Sequence, residues 1–260
     1  MHTFNSSNID TSTLLQEALQ AAERACREIL NVYTTGDFQT ESKGDSSPLT
    51  IADKRAHEII TTTLKSTGLP ILSEEGKTIP FEERRNWEYF WMVDPLDGTK
   101  EFLKRNGEFT VNIALIHQNK PVMGVVAVPV TGDVYYTSSD GVFLKRKGVT
   151  QKLEHRGRTN LQQTGLRVVA SRSHMTEETQ QFVNGLVQPS LVSSGSSLKF
   201  MMLAEGAADV YPRYAPTMEW DTAASHAIVN AVGLKVTRQG SSEELVYNKE
   251  NLLNPGFLVS

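Results

Sequence analysis

Acidic side chains at short spacing are the residues of this chain best suited to chemistry. Asp94 and Asp97 are separated only by Pro95 and Leu96, with Gly98 and Thr99 directly after. Carboxylates held this close repel one another unless protons or cations lie between them, and hard divalent cations such as Mg²⁺ prefer oxygen ligands of this kind. An Asp-x-x-Asp also suits a plain turn, so the pair gains meaning only from other acids. Three further sites supply them. Asp53 stands near a helix start, where capping alone would explain it; Glu74 and Glu75 end a short apolar run; Asp221 opens a stretch of small residues.

The elements that must position these acids are legible from periodicity. Tyr89 to Val93 is an apolar, aromatic run with the pattern of a buried strand, and Pro95 with Gly98-Thr99 predicts a turn as the chain leaves it. Before it, Asp10-Thr11-Ser12 precedes apolar positions from Leu14 to Leu30 at helical spacing, ending near Gly36. Residues 37–45 are polar and predict a loop or exposed hairpin, with Lys43-Gly44-Asp45-Ser46-Ser47 mobile. A second helix follows Thr50 and buries Ala56, Ile59, Ile60 and Leu64; Ile71-Leu72 is a short strand. In an extended chain one of Glu74 and Glu75 would face inward and the other water. Residues 77–88 read as an exposed connection.

After Phe102, short β-rich segments at 110–118, 121–130, 132–139 and 141–147 predict an antiparallel meander. Residues 150–165 are polar and aperiodic, a linker candidate between an N-terminal half, 1–155, and a C-terminal half, 156–260. Strands at 166–171, 190–193, 208–211 and 234–236 alternate there with helices at 176–186, 198–205 and 220–232, so the fold class is α/β (α+β). Three features of this half suit an anion: the Ser193–Ser197 run with its single Gly195, Lys199 just after it, and Arg213 between Tyr211 and Tyr214. The run lacks the P-loop pattern, and a flexible turn would explain the run as a solvated cation would explain Lys199 or Arg213.

Composition narrows the classes. A net charge of -4 leaves no broad basic field for nucleic acid. The single cysteine, Cys26, excludes an internal disulfide and reads as a small buried hydrophobe. No secretory signal and no apolar run of membrane-spanning length are visible, which predicts a cytoplasmic protein. No nucleophile elbow appears, which argues against covalent catalysis.

Together, Ser73-Glu74-Glu75, Asp94-Pro95-Leu96-Asp97-Gly98-Thr99 and Trp220-Asp221 resemble the lithium-sensitive, magnesium-dependent phosphatase family typified by inositol monophosphatase. Lys100-Glu101-Phe102, Gly195-Ser196-Ser197-Leu198-Lys199-Phe200 and Leu253-Asn254-Pro255-Gly256-Phe257 look like its CysQ branch, the 3'(2'),5'-bisphosphate nucleotidases. The resemblance implies a layered αβαβα sugar-phosphatase fold, an antiparallel sheet half followed by a mixed half, forming one compact catalytic unit. It implies two Mg²⁺ ions, with a third as an option: Glu74, Asp94 and the carbonyl of Leu96 at the first, and Asp94, Asp97 and Asp221 at the second. Asp53 and Thr99 would orient the attacking water, with Glu74 sharing in catalysis; Gly98 and Thr99 would offer amides to the phosphate. Ser196, Lys199, Arg213 and Asp221 would hold the nucleotide.

Two cations about 4 Å apart would clamp the water and the leaving oxygen, and lower the water's pKa from 15.7 toward roughly 7. The implied reaction converts adenosine 3',5'-bisphosphate to AMP and phosphate, a step in sulfur assimilation. The implied partner is a small phosphorylated nucleotide, and the protein would be a monomer or homodimer without an integral membrane segment. Members of this branch are sometimes placed peripherally on the cytoplasmic face of the inner membrane, an option that no amphipathic stretch of this chain demands. Two rivals share the acids: an inositol-phosphate or sugar-bisphosphate phosphatase, and a non-catalytic sensor of phosphonucleotides.

Overall fold

The computed structural model describes residues 10–42, 48–170 and 175–260. The 43–47 stretch expected to be mobile, and Ser171 at the end of an expected strand, lie outside the described residues. Helix α1 (Thr11–Thr35) is capped by Asp10, whose carboxylate accepts from the amides of Ser12 and Thr13, and ends on Gly36 in the left-handed region. A small hairpin, β1 (Glu41–Ser42) with β2 (Pro48–Leu49), leads to α2 (Ile51–Leu64). Strand β3 (Ile71–Ser73) and a short helix α3 (Phe81–Arg84) precede β4 (Tyr89–Asp97) and α4 (Thr99–Leu103).

The meander is β5 (Thr110–His117), β6 (Lys120–Val128), β7 (Asp133–Ser138), β8 (Gly141–Arg146) and β9 (Val149–Lys152). With β3 and β4 it forms one seven-stranded sheet in sequence order, parallel between β3 and β4 and antiparallel elsewhere. The second half holds β10 (Arg167–Val169), α5 (Glu177–Asn184), β11 (Ser190–Val192), α6 (Leu198–Ala204), β12 (Tyr211–Arg213), β13 (Thr217–Met218), α7 (Glu219–Ala231), β14 (Val236–Arg238), β15 (Leu253–Asn254) and β16 (Phe257–Val259).

Alternation along the central strands assigns the two faces of the large sheet. Trp91, Val93, Ile113, Leu115, Val125 and Ala127 pack with the alanine-rich faces of α1 and α2, while Phe90, Met92, Ala114, Ile116, Val126 and Val128 pack with α6 and α7. The second cluster joins residues from both sides of position 155. Beyond α6 and α7 lies a small sheet, β12-β16-β14, with α5 packed on β12. Helices and sheets therefore alternate in layers, as the αβαβα expectation requires. Close approach of α7 to β6 depends on Gly124, because a Cβ there would overlap the Ala224 carbonyl.

Several local expectations need correction. The chain does not turn at Pro95: β4 continues to Asp97 with a register shift between Asp94 and Asp97, a bulge that accommodates a proline without a ladder donor. Residues 77–88 are not simply an exposed connection, since they form α3 and bury Arg84. Glu74 and Glu75 occupy a turn rather than extended chain, and both are half-buried. Residues 150–152 belong to β9, so the irregular linker starts at 153. The strand expected at 208–211 sits at 211–213 and that at 234–236 sits at 236–238, while β13, β15 and β16 were not foreseen. Among the described residues no helix is long and apolar enough to cross a membrane.

Candidate active site

The bulged end of β4 places Asp94 opposite Asn112 and Asp97 opposite Thr110 of β5. Asp94 is buried, and its carboxylate accepts from the Leu96 amide at 3.0 Å. Burial, then the charges of Glu74, Asp97 and Asp221, push the Asp94 carboxyl well above the usual range. Glu74 is brought there by β3, and its amide donates to the Val93 carbonyl at 3.0 Å. Asp221 reaches the same field from the first turn of α7, where it accepts from the Met218 amide at 2.9 Å. Its carboxyl is likewise raised, by burial first and by Asp97 next. Capping and convergence are thus combined in one residue.

Asp53 combines two roles in the same way. It closes a capping box with the Thr50 amide at 2.8 Å, and its other oxygen accepts from Thr99 Oγ1 at 3.1 Å. Burial raises its carboxyl, opposed by its bonds from Thr50. Thr99 follows Gly98, whose φ of 92° lies in the left-handed region; a Cβ there would press on the Glu108 carbonyl and Ser196. Thr99 Oγ1 also lies 3.3 Å from the Leu96 carbonyl.

Asp97 is held from the other half of the chain. Its Oδ2 accepts from Ser196 Oγ at 2.6 Å, and Ser197 Oγ lies 3.1 Å from Oδ2 and 3.2 Å from the Asp221 carbonyl. Asn112 donates to Ser197 Oγ at 3.0 Å and accepts from Thr110, which lies 2.7 Å from Ser196. The Ser196 hydroxyl expected on the nucleotide is thus engaged by Asp97 and Thr110. Asn112 and Thr110 were not singled out as site residues, and Ser197 only as part of the Ser193–Ser197 run, although an Asn within the apolar run of β5 is a signal that could have drawn attention.

A cleft of about 790 Å³ opens over this floor. Its lining includes Asp97, Gly98, Lys100, Glu101, Ser196, Lys199, Tyr211, Arg213 and Asp221. Lys199 is buried rather than solvated, with Nζ 3.2 Å from the Ser196 carbonyl; burial lowers its affinity for a proton, opposed by Asp97. Arg213 Nε is buried without a hydrogen-bond partner. Asp53, Glu74, Asp94, Leu96 and Thr99 stand behind the lining, linked to it through Thr99 and the mutual field of the acids.

An all-oxygen set of acids suits a hard divalent cation. Among the described residues, no three His, Cys, Asp or Glu side chains form a preassembled metal-ligand cluster. Asp94 and Asp221 accept from backbone amides and Asp97 from serine hydroxyls, and the oxygens of these acids are the donors a cation would use.

The layered α/β fold and its acid-lined cleft are those of a phosphatase family to which similarity to known proteins assigns the chain. Residues 10–256 match the inositol monophosphatase family, and the chain belongs to that family. It is 44% identical to the Escherichia coli K12 protein named 3'(2'),5'-bisphosphate nucleotidase CysQ, over 95% of this chain and 99% of that one. The crystal structure of CysQ from Bacteroides thetaiotaomicron, described as a bacterial member of the inositol monophosphatase family, superposes with a TM-score of 0.83 at 46% identity, covering 96% and 97% of the two chains. The suhB protein of Bartonella henselae, at 22% identity and a TM-score of 0.75 over 95% and 93%, shares the fold.

Proposed function

We propose that this chain is a Mg²⁺-dependent 3'(2'),5'-bisphosphate nucleotidase that hydrolyses adenosine 3',5'-bisphosphate to AMP and phosphate. The observation that carries this reading is the pairing, in one cleft, of an acid-lined floor with the two cations Lys199 and Arg213. A substrate with one phosphate needs only the floor. A second phosphate gives the buried Lys199 and the unpartnered Arg213 Nε their counter-charge. The names of the relatives agree with this choice.

Glu74, Asp94, the Leu96 carbonyl, Asp97 and Asp221 would hold two Mg²⁺ ions. Bound there, the cations would neutralise phosphoryl charge and make a water acidic enough to attack at neutral pH. The chain's own residues do the rest. Thr99 Oγ1, already donating to Asp53 Oδ1, accepts a proton from the attacking water as its own passes to Asp53, with Glu74 assisting from β3. The Gly98 and Thr99 amides steady the transferring phosphoryl group. The water oxygen forms the new bond to phosphorus, the bond from phosphorus to the ribose 3' oxygen breaks, and that oxygen takes a proton from solvent as AMP departs, while Asp53 returns its proton to solvent. Lys199 and Arg213 keep the 5'-phosphate in place, and Ser196, its hydroxyl held by Asp97 and Thr110, lines that side of the cleft. Halves 1–155 and 156–260 thus work as one cytoplasmic catalytic unit, since the acids come from both.

Phosphate release from a panel of esters in Mg²⁺, repeated with Li⁺ and with EDTA, tests this reading. The bisphosphate should be the best substrate, Li⁺ should inhibit and EDTA should abolish turnover. Release that survives EDTA would overturn the metal requirement, and binding without release would make the protein a sensor.

A further inference from the structure

Glu219 is a carboxylate with no exposed surface, two residues before Asp221, and no step above uses it. Its Oε2 accepts from the Asn248 amide at 2.5 Å, and its Oε1 from the Lys249 amide at 3.1 Å and Lys249 Nζ at 2.5 Å. The Glu219 amide donates to the Leu252 carbonyl at 2.9 Å, and Asn254 Nδ2 donates to the Met218 carbonyl at 2.9 Å. The first turn of α7 is therefore fixed to segment 248–254.

That segment is fixed in turn to α3. Arg84, also buried, donates from Nη1 to Asn248 Oδ1 at 2.8 Å and to the Lys249 carbonyl at 2.7 Å, and from Nη2 to the Glu250 carbonyl at 3.0 Å. Asn248 Nδ2 returns a bond to the Arg84 carbonyl at 2.7 Å. Arg84 ends α3, between the turn carrying Glu74 and the strand carrying Asp94 and Asp97. The route from Arg84 through Asn248 and Lys249 to Glu219 joins α3, which lies in the chain between Glu74 and Asp94, to the helix that presents Asp221.

A buried ion pair contributes little net stability, because desolvation of both charges offsets their attraction, whereas fixed geometry is what such a pair supplies well. Building on the proposed cation site, we infer that Glu219 is a positioning residue: with Lys249 and Arg84 it fixes the first turn of α7 and so the place of Asp221, and with it the affinity of the site for its cation.

Mn²⁺ serves as the probe, its binding to the full chain followed by the loss of the free-ion paramagnetic resonance signal. Two variants are compared with the parent: Glu219→Gln, and Glu219→Leu with Lys249→Met, which removes both charges and leaves an apolar contact. Mn²⁺ affinity should fall about tenfold in each folded variant, while KM for the bisphosphate at saturating Mg²⁺ stays within about twofold. Rescue by Glu219→Asp should be poor, because the shorter side chain withdraws from the 248–249 amides. Folded variants with parental Mn²⁺ affinity would overturn the inference. So would failure of both to fold, which would make Glu219 a folding element. A parent chain that binds no Mn²⁺ would instead strike at the proposed site itself, and the inference would fall with it.

Discussion

Thr99 donates its hydroxyl to Asp53 at 3.1 Å, joining the first turns of α4 and α2 across 46 residues of sequence. The same Asp53 caps α2 through its other oxygen, so the helix that holds it also fixes its direction. Thr99→Val keeps the volume and removes only the hydroxyl. Turnover should fall by about 10²- to 10⁴-fold, the usual share of a positioned proton acceptor, with Tm little changed. Steady-state rates beside a thermal melt check this, and a variant with normal turnover would remove Thr99 from the proposed route.

Asp97→Asn tests the floor of the cleft. The Asn oxygen can still accept from Ser196 and Ser197, so the tie to the second half survives while the charge is lost. Circular dichroism should match the parent, and phosphate release should be nearly abolished at any Mg²⁺ concentration tested. Normal release would contradict the site assignment.

Lys199→Met separates substrate recognition from chemistry. The apolar side chain fits a buried position, so the fold should persist. Loss of a charged hydrogen bond to phosphate is worth about 1.5–3 kcal/mol, which corresponds to a KM for the 3',5'-bisphosphate raised by roughly 10- to 100-fold. For 3'-AMP, which lacks the second phosphate, KM should hardly move. Equal losses on both substrates would place Lys199 elsewhere in the reaction.

These residues also mark how much was readable in advance. The acids declared themselves by their type and spacing, and Asp94 and Asp97 share one field with Asp221, which is far from them in sequence. Helices α1 and α2 were clear for a similarly local reason: a capping residue precedes each apolar stripe. What stayed hidden depends on distant partners. Arg84 in a charged stretch looks solvated until Asn248 and the 249–250 carbonyls close over it. The strand pairing of β13 with β15 and of β16 with β12 and β14 unites segments of two or three residues, too short to show a period of their own. The bulge at Pro95 reads as a turn because only tertiary pairing with β5 keeps that stretch extended.

Acid stability should depend on Asp209. Its hydrogen bonds from Arg167, at 2.6 Å and 2.8 Å, hold its carboxyl below the usual range. A depressed folded pKa stabilises the protein fully above the unfolded value of about 3.9, and the contribution is lost as pH falls through the lower folded value. Arg167 is partly exposed, so screening limits the effect to about 1 kcal/mol. Urea midpoints at pH 7 and near pH 3 should converge for Asp209→Asn relative to the parent; an unchanged gap would rule this out.

Gly124→Ala should destabilise the chain by about 1–3 kcal/mol, because the new methyl meets the Ala224 carbonyl where α7 lies on β6. The same helix carries Asp221, so activity measured well below Tm should fall too. A variant with parental Tm would show that the helix can move away from the sheet at no cost.

The most direct measurement is the ratio of kcat/KM for adenosine 3',5'-bisphosphate to that for inositol 1-phosphate, taken on the parent chain in Mg²⁺. Recognition of a second phosphate by Lys199 and Arg213 predicts a ratio well above one, falling toward one when either cation is replaced by Met. Faster turnover of inositol 1-phosphate would contradict the account.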